Sequence, residues 1–171
     1  MPQRRGAHPE CGGEFGDAHR VLRPHVLDGV QAITPIPGDG SPEISRGDTF
    51  FSYSPAGAAP VTAQPFATIV TKNYPGEESP LLDRPDTFRV SVAAGKNLFR
   101  EWTGHAPGEP AADVVPGVTD AVIAHPVHGS AGWLAVVNPG PRGDAAIRLL
   151  LREAHRLARA RHERRAGSTR P

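Results

Sequence analysis

The sequence predicts an α+β fold of two layers, in which a mainly antiparallel sheet of about five strands is covered by helices. Three observations lead to this prediction. Short segments in which apolar and polar residues alternate recur through the first 137 residues. A long amphipathic helical pattern follows them and can cover the apolar face of a sheet. No GxGxxG motif, no P-loop motif and no strand–helix–strand repeat occurs, which argues against dinucleotide and P-loop sites.

The composition indicates one domain in a reducing compartment. A chain of 171 residues can bury a core without disulfide bonds. Cys11 is the single cysteine, so an internal disulfide or a cysteine metal cluster is impossible, which fits the cytosol. No segment approaches the roughly 18 consecutive apolar residues of a membrane span, and no signal-peptide pattern is found. We therefore expect a cytoplasmic protein that does not associate with a membrane.

The chain divides into a central domain and two short ends. Residues 1–16 carry Gly, Pro and charged residues without any periodicity, so we expect a disordered extension there. Residues 17–165 are expected to form a single α+β domain. Residues 166–171 are expected to form a disordered tail.

Strands are expected at five places along the chain. The clearest is residues 65–71, which we expect in the middle of the sheet. The other expected strands are residues 30–36, 49–53, 87–93 and 133–137. In residues 87–93, apolar and polar side chains alternate with a period of two, which is typical of a strand with one dry face and one wetter face.

Helices are expected to cover this sheet. Asp17 is a plausible N-cap for an N-terminal helix, which Pro24 would shorten or bend. A short middle helix is expected over residues 96–102, with Gly104 as its stop signal. A single helical turn is expected over residues 120–124.

The strongest helical pattern covers residues 143–165. Its apolar residues form one stripe: Ile147, Leu150, Leu151, Ala154, Leu157 and Ala158. A group of arginines occupies the other side: Arg148, Arg152, Arg156 and Arg159. Residues 142–171 hold 9 arginines against 3 acidic residues, whereas the rest of the chain holds 10 basic and 15 acidic residues. The arginine stripe is either a solvated helix face or, as an alternative function, a surface that follows a nucleic-acid backbone.

Several segments together are characteristic of a known family. They are PEI at 42–44, GDTFF at 47–51, PFATIVT at 65–71, LDRP at 82–85, FRV at 88–90, HPV at 125–127 and GWLAVVNP at 132–139. In this order they resemble the bacterial domain-of-unknown-function family numbered 6194, over about residues 17–165. That family has no assigned activity, so the resemblance implies no reaction.

A more distant similarity is to the MmcQ/YjbR-like proteins. They also end in a Trp-containing strand that is followed by a long helix. The similarity implies a small antiparallel sheet backed by helices. DNA binding has been proposed for some of these proteins, which keeps the nucleic-acid alternative open.

Polar side chains are expected on the wetter face of the sheet, where Tyr53, Arg89 and Ser91 would lie with Thr68. Such a face is either an ordinary solvated surface or a concave ligand surface. The predicted ligand-binding residues are Tyr53, Arg89, His125, Trp133 and Asn138. No catalytic residue, metal or cofactor is predicted. The preferred hypothesis is a non-catalytic module that binds an unknown small molecule or protein partner, as a monomer or a homodimer.

His125 and His128 form the most tempting pair for chemistry. Because Pro126 disfavours a helical conformation at His125, we expect an extended or turn segment that points the two imidazoles apart. A metal site would also need further ligands, so none is predicted. In the simplest interpretation, His125 bonds to the backbone of its loop and His128 is exposed. The alternative is a small-molecule enzyme with His125 as its acid or base.

Overall fold

A computed structural model describes residues 27–57, 64–77, 80–110 and 117–168. The strands are β1 (Val30–Ile33), β2 (Thr49–Tyr53), β3 (Ala67–Val70), β4 (Arg89–Ala93), β5 (Val122–Ala124) and β6 (Trp133–Val137). The α-helices are α1 (Gly95–Thr103) and α2 (Gly143–Ser168), and single 3₁₀ turns lie at Glu43–Ser45, Pro80–Asp83 and Gly129–Ala131. All strand pairs are antiparallel, in the order β1-β2-β3-β4-β6-β5. The predicted α+β class with an antiparallel sheet is therefore confirmed.

Most predicted elements are present, with shifted ends. β2 and β6 have the predicted bounds, whereas β1, β3 and β4 are shorter than expected. α1 ends at Thr103, and Gly104 caps it with a φ of 79° and a backbone N–H that donates to the carbonyl of Arg100, as the stop signal predicts. α2 continues to Ser168, three residues beyond its predicted end. The expected N-terminal helix and the expected extension over residues 1–16 lie outside the described residues.

The predicted helical turn over residues 120–124 is wrong, because this segment forms β5. Val122 pairs with Val136 and Ile123 pairs with Ala135, on the outer side of β6. Two β-branched residues favour a strand, and β6 would otherwise leave a row of backbone groups unpaired. In the part of the chain that the structure describes, the sheet therefore has six strands instead of the expected five.

Asp120 connects this edge strand to the start of α2. Its carboxylate accepts hydrogen bonds from the backbone N–H groups of Gly140 (2.6 Å), Gly143 (2.6 Å) and Arg142 (3.1 Å). Burial alone would raise the pKa of Asp120, but these donors hold it below its usual value. Asp120 thus satisfies N–H groups at the N-terminus of α2.

One face of the sheet, the helix face, packs against α2. Its buried side chains are Phe51, Ala67, Ile69, Val90, Val92, Leu134 and Val136. From α2 they meet Ile147, Leu150, Leu151, Ala154 and Ala158. The predicted apolar stripe of the long helix is confirmed, with Leu157 half-buried at its margin. Within the described residues, neither helix has the length and apolar content that crossing a membrane requires.

The other face, here called the polar face, carries the remaining side chains of the central strands. They are Thr68 and Val70 on β3, Arg89, Ser91 and Ala93 on β4, and Trp133, Ala135 and Val137 on β6. All eight are buried. Leu82 and Tyr74 pack over Val70 and Val137 at one end of this face. The alternative of an ordinary solvated surface is therefore wrong, because all eight side chains are buried. Residues of the loop between β3 and β4 cover the end of this face at Val70 and Val137.

Candidate functional site

A buried ion pair lies on the polar face. The guanidinium group of Arg89 donates to Glu77 through Nη2 (2.7 Å to Oε1) and Nη1 (3.2 Å to Oε2). Both side chains are almost wholly buried, at 5% and 4% exposure. A two-pronged pair of this kind compensates each charge within the protein interior. Arg89 is therefore held in one orientation by a carboxylate from the loop above it.

Asp48 fixes the loop that carries Glu77. It is fully buried. Its Oδ1 accepts from the backbone N–H (2.9 Å) and the hydroxyl (3.1 Å) of Thr71, and its Oδ2 accepts from the Tyr74 hydroxyl (2.6 Å). Lys72 adds an ion pair at 3.0 Å. Burial and the hydrogen bond to Asp48 raise the pKa of Tyr74, so the phenol stays protonated and keeps donating.

Two further buried donors on β4 lie at this ion pair. Among the described residues, neither Nε of Arg89 nor Oγ of Ser91 has a hydrogen-bond partner, although both atoms are buried. Leaving a buried polar group unsatisfied costs about 1–3 kcal/mol, and native proteins pair nearly all such groups. Ser91 follows Arg89 by two positions on β4, so both side chains lie on the polar face. Two neighbouring unsatisfied donors indicate a site for an acceptor.

His125 lies at the other end of the polar face, where its backbone N–H bonds to the carbonyl of Trp133. Its Nδ1 accepts from the backbone N–H groups of Val127 (3.1 Å) and His128 (3.0 Å). Nδ1 must therefore carry a lone pair, which leaves the ring proton on Nε2 as a donor. Burial, followed by the charges of Arg89 and His128, lowers the pKa of His125 to about 3. The ring is neutral at physiological pH.

The two imidazoles are close together, so the expectation that they point apart is wrong. Their ring centroids are 4.8 Å apart, because the two hydrogen bonds to Nδ1 wrap the segment into a tight turn. Trp133 lies 6.3 Å from His125 and 6.1 Å from His128. His128 is exposed, and His125 bonds to its loop backbone, as the simplest interpretation predicted. No group of three or more potential metal ligands occurs in the part of the chain that the structure describes.

The buried, neutral His125 should make the protein less stable in mild acid. The unfolded histidine, with a pKa of about 6.5, takes up a proton below that pH, whereas the folded ring stays neutral down to about pH 3. Stability is therefore fully present above the unfolded pKa and falls as the pH drops towards the folded pKa. Between pH 7 and pH 5, His125 alone should lower the free energy of unfolding by about 2 kcal/mol.

A His125→Asn variant isolates this contribution in urea titrations at both pH values. The Asn oxygen can still accept from the turn, but the side chain does not titrate. The variant should lose most of the difference in unfolding free energy between pH 7 and pH 5. An unchanged difference would show that His125 is not the group responsible.

Two of the five predicted ligand-binding residues lie elsewhere. Tyr53 belongs to the helix face, where its ring contacts His155 (5.3 Å between centroids) and His162 (5.4 Å). Asn138 follows β6 and ties the β4–β6 pair together, because its Oδ1 accepts from the Phe88 N–H (2.9 Å). Its Nδ2 donates to the carbonyl of residue 86 (3.3 Å). Arg89, His125 and Trp133 share the polar face.

The arginine stripe of α2 is largely paired with carboxylates of the same helix. Arg148 bonds to Asp144 (2.8 Å), and Arg159 bonds to Glu163 (2.8 Å). Arg156 donates to Glu153, through Nε at 2.8 Å. Arg152 is exposed. Pairing lowers the charge that the stripe offers to a phosphate backbone, so nucleic-acid binding stays a prediction with reduced support.

Glu77 and Ser91 complete what we call the polar site, together with Arg89, His125 and Trp133. Glu77 lies in a Gly- and Pro-containing loop without any motif, so the sequence gives no signal for its role. Asp48 lies in the GDTFF segment, one of the segments that resemble the family, so the sequence does contain a signal for this carboxylate.

Comparison with protein families identifies one match. A family of unknown function, DUF6194, matches residues 18–167, which include every strand and all residues of the polar site. The comparisons with curated proteins and with solved structures found no match. The similarity to the MmcQ/YjbR-like proteins thus stays a prediction. Since the match covers most of the sequence, the chain belongs to the DUF6194 family.

Proposed function

We propose that this protein is a non-catalytic module that binds a small molecule at the polar site. The proposal rests on two buried donors on β4, Nε of Arg89 and Oγ of Ser91, which have no hydrogen-bond partner among the described residues. A small molecule with an acceptor atom would satisfy both. The single cysteine supports a reducing, cytoplasmic setting for this activity.

The side chains around these donors support a small ligand. Ser91 pairs across the sheet with Ala135, and Ala93 pairs with Trp133, so small residues occupy the centre of the polar face. Larger groups stand at its two ends, with Arg89 at one and Trp133 at the other. Small residues between larger ones are what a recess for a ligand requires.

The states of His125 and Arg89 favour ligand binding over catalysis. A general acid or base works best with a pKa near the operating pH. Burial moves the pKa of His125 to about 3, which makes it a weak base at neutral pH. Arg89 is occupied by Glu77 and serves as a fixed donor. The enzyme alternative therefore has less support than a binding module.

Replacing Ser91 by Ala should separate ligand binding from folding. The variant loses a hydroxyl that has no partner among the residues the structure describes, so its stability should equal or exceed that of the wild type. Its affinity for a bound fragment should fall by about tenfold, as expected when one hydrogen bond to a ligand is lost. Binding can be followed by NMR titration with small polar aromatic fragments at the indole N–H of Trp133.

Ser52→Ala provides the matched control, because Ser52 is another buried serine, on β2. It should leave fragment affinity unchanged. The proposal fails if no fragment perturbs the Trp133 signal, or if Ser91→Ala binds fragments as tightly as the wild type does.

A further inference from the structure

We propose that the ligand of the polar site is a neutral molecule that presents a carbonyl or amide oxygen, and not a carboxylate or a phosphate. This inference rests on the proposed binding function and specifies its ligand class. It follows from which atoms of the site are free to bond, and from how the charges of the site are already compensated.

The polar site offers hydrogen-bond donors to a ligand. Nη1 and Nη2 of Arg89 each donate to Glu77, and Nε is the guanidinium nitrogen that has no partner among the described residues. The proton of His125 is on Nε2, since Nδ1 accepts from the backbone. The hydroxyl of Ser91 can donate as well. Nε of Arg89 and Oγ of Ser91 therefore offer donors to an oxygen acceptor, and Nε2 of His125 adds a donor at the other end of the polar face.

The positive charges in and around the polar site are already compensated. Glu77 neutralises the charge of Arg89, and Asp48 neutralises the charge of Lys72, which lies in the loop between β3 and β4. His125 is uncharged because burial suppresses its protonation. A carboxylate or phosphate at the Arg89 Nε would enter a buried region where Glu77 already compensates the charge of Arg89, and it would face Glu77, a like charge. A carbonyl or amide oxygen accepts the same hydrogen bonds without that penalty.

Aromatic and methyl groups surround the rest of the site. Trp133 is 8% exposed and lies edge-on to His125, and Ala93 and Ala135 present only methyl groups beside it. Such surroundings suit a flat apolar group. An aromatic amide combines the two features, which makes benzamide a suitable probe and benzoate its charged counterpart.

The wild-type protein is tested with two matched pairs of probes, benzamide against benzoate and nicotinamide against nicotinate. Each probe is titrated at pH 7 while the indole N–H of Trp133 is observed by NMR. The second indole signal, from Trp102, is identified with a Trp102→Phe variant. In each pair the amide should bind at least tenfold more tightly than the acid. Equal affinity or a preference for the acids would overturn the ligand class.

A Glu77→Gln variant tests the reason for the preference. Gln keeps an oxygen for Arg89 but removes the negative charge, so the guanidinium is left without charge compensation. The ratio of amide affinity to acid affinity should fall by at least tenfold, and an unchanged ratio would overturn the charge argument. If Glu77→Gln does not give a folded NMR spectrum, the wild-type comparison alone decides.

The same titrations separate this inference from the proposed function. Acids that bind more tightly than amides, with affinity lost in Ser91→Ala, would overturn the neutral ligand class and leave the binding site standing. Failure of all four probes to shift the Trp133 signal would overturn both.

Discussion

Replacing Leu151 by Asp should unfold the protein, whereas the same change at Leu149 should leave it folded. Leu151 is 2% exposed and packs in the core between α2 and the helix face. Leu149 is 44% exposed, two positions away on the same helix. A large buried side chain contributes about 2–5 kcal/mol over Ala, and a buried, unpaired carboxylate adds a further penalty. The total approaches the whole stability of a domain of this size, about 5–15 kcal/mol.

Circular dichroism and urea titration of the two variants measure this difference. Leu149→Asp should change the free energy of unfolding by no more than about 0.5 kcal/mol, as is usual for a surface substitution. A folded Leu151→Asp variant with wild-type stability would show that the apolar stripe of α2 has been assigned to the wrong residues.

Replacing Glu77 by Leu should destabilise the protein by about 3–5 kcal/mol, because it leaves the guanidinium group of Arg89 buried without a partner. The double variant Glu77→Leu/Arg89→Leu removes both charges. It should recover most of the loss, since apolar residues often replace a buried ion pair without net cost. Urea unfolding of the wild type, both single variants and the double variant gives the coupling energy of the pair.

An exposed ion pair provides the control for this cycle. Glu163 pairs with Arg159 on the surface of α2, with both side chains more than half exposed. Glu163→Leu should have little effect on stability, because solvent screens exposed pairs. If Glu77→Leu were as mild as Glu163→Leu, the Arg89–Glu77 pair would not be the buried interaction described here.

Local patterns were sufficient to predict most of the fold. β2 and β6 are runs of apolar and β-branched residues with the expected bounds, and the apolar stripe of α2 is an unambiguous helical repeat. β5 could not be predicted in this way. It has three residues, and its conformation depends on the free edge of β6, which is known only once the strand order is known.

The polar site was only partly predictable, for a geometric reason. Arg89 alternates with Phe88 and Val90, so its face was clear from the sequence. Phe50 and Phe51 are both apolar, so the alternation of β2 is hidden in the sequence. Because a shift of one residue moves every side chain of a strand to the other face, the prediction places Tyr53 on the wrong face. The covering loop and the Arg89–Glu77 pair depend on long-range folding that no local pattern records.

Nε of Arg89 and Oγ of Ser91 form the proposed binding surface for an oxygen acceptor from outside the chain. A crystal structure of the protein soaked with benzamide tests it most directly. The amide oxygen should lie within about 3.2 Å of both atoms, with the ring beside Trp133. Benzamide absent from the polar site, with both donors bonded to protein atoms, would contradict the claim.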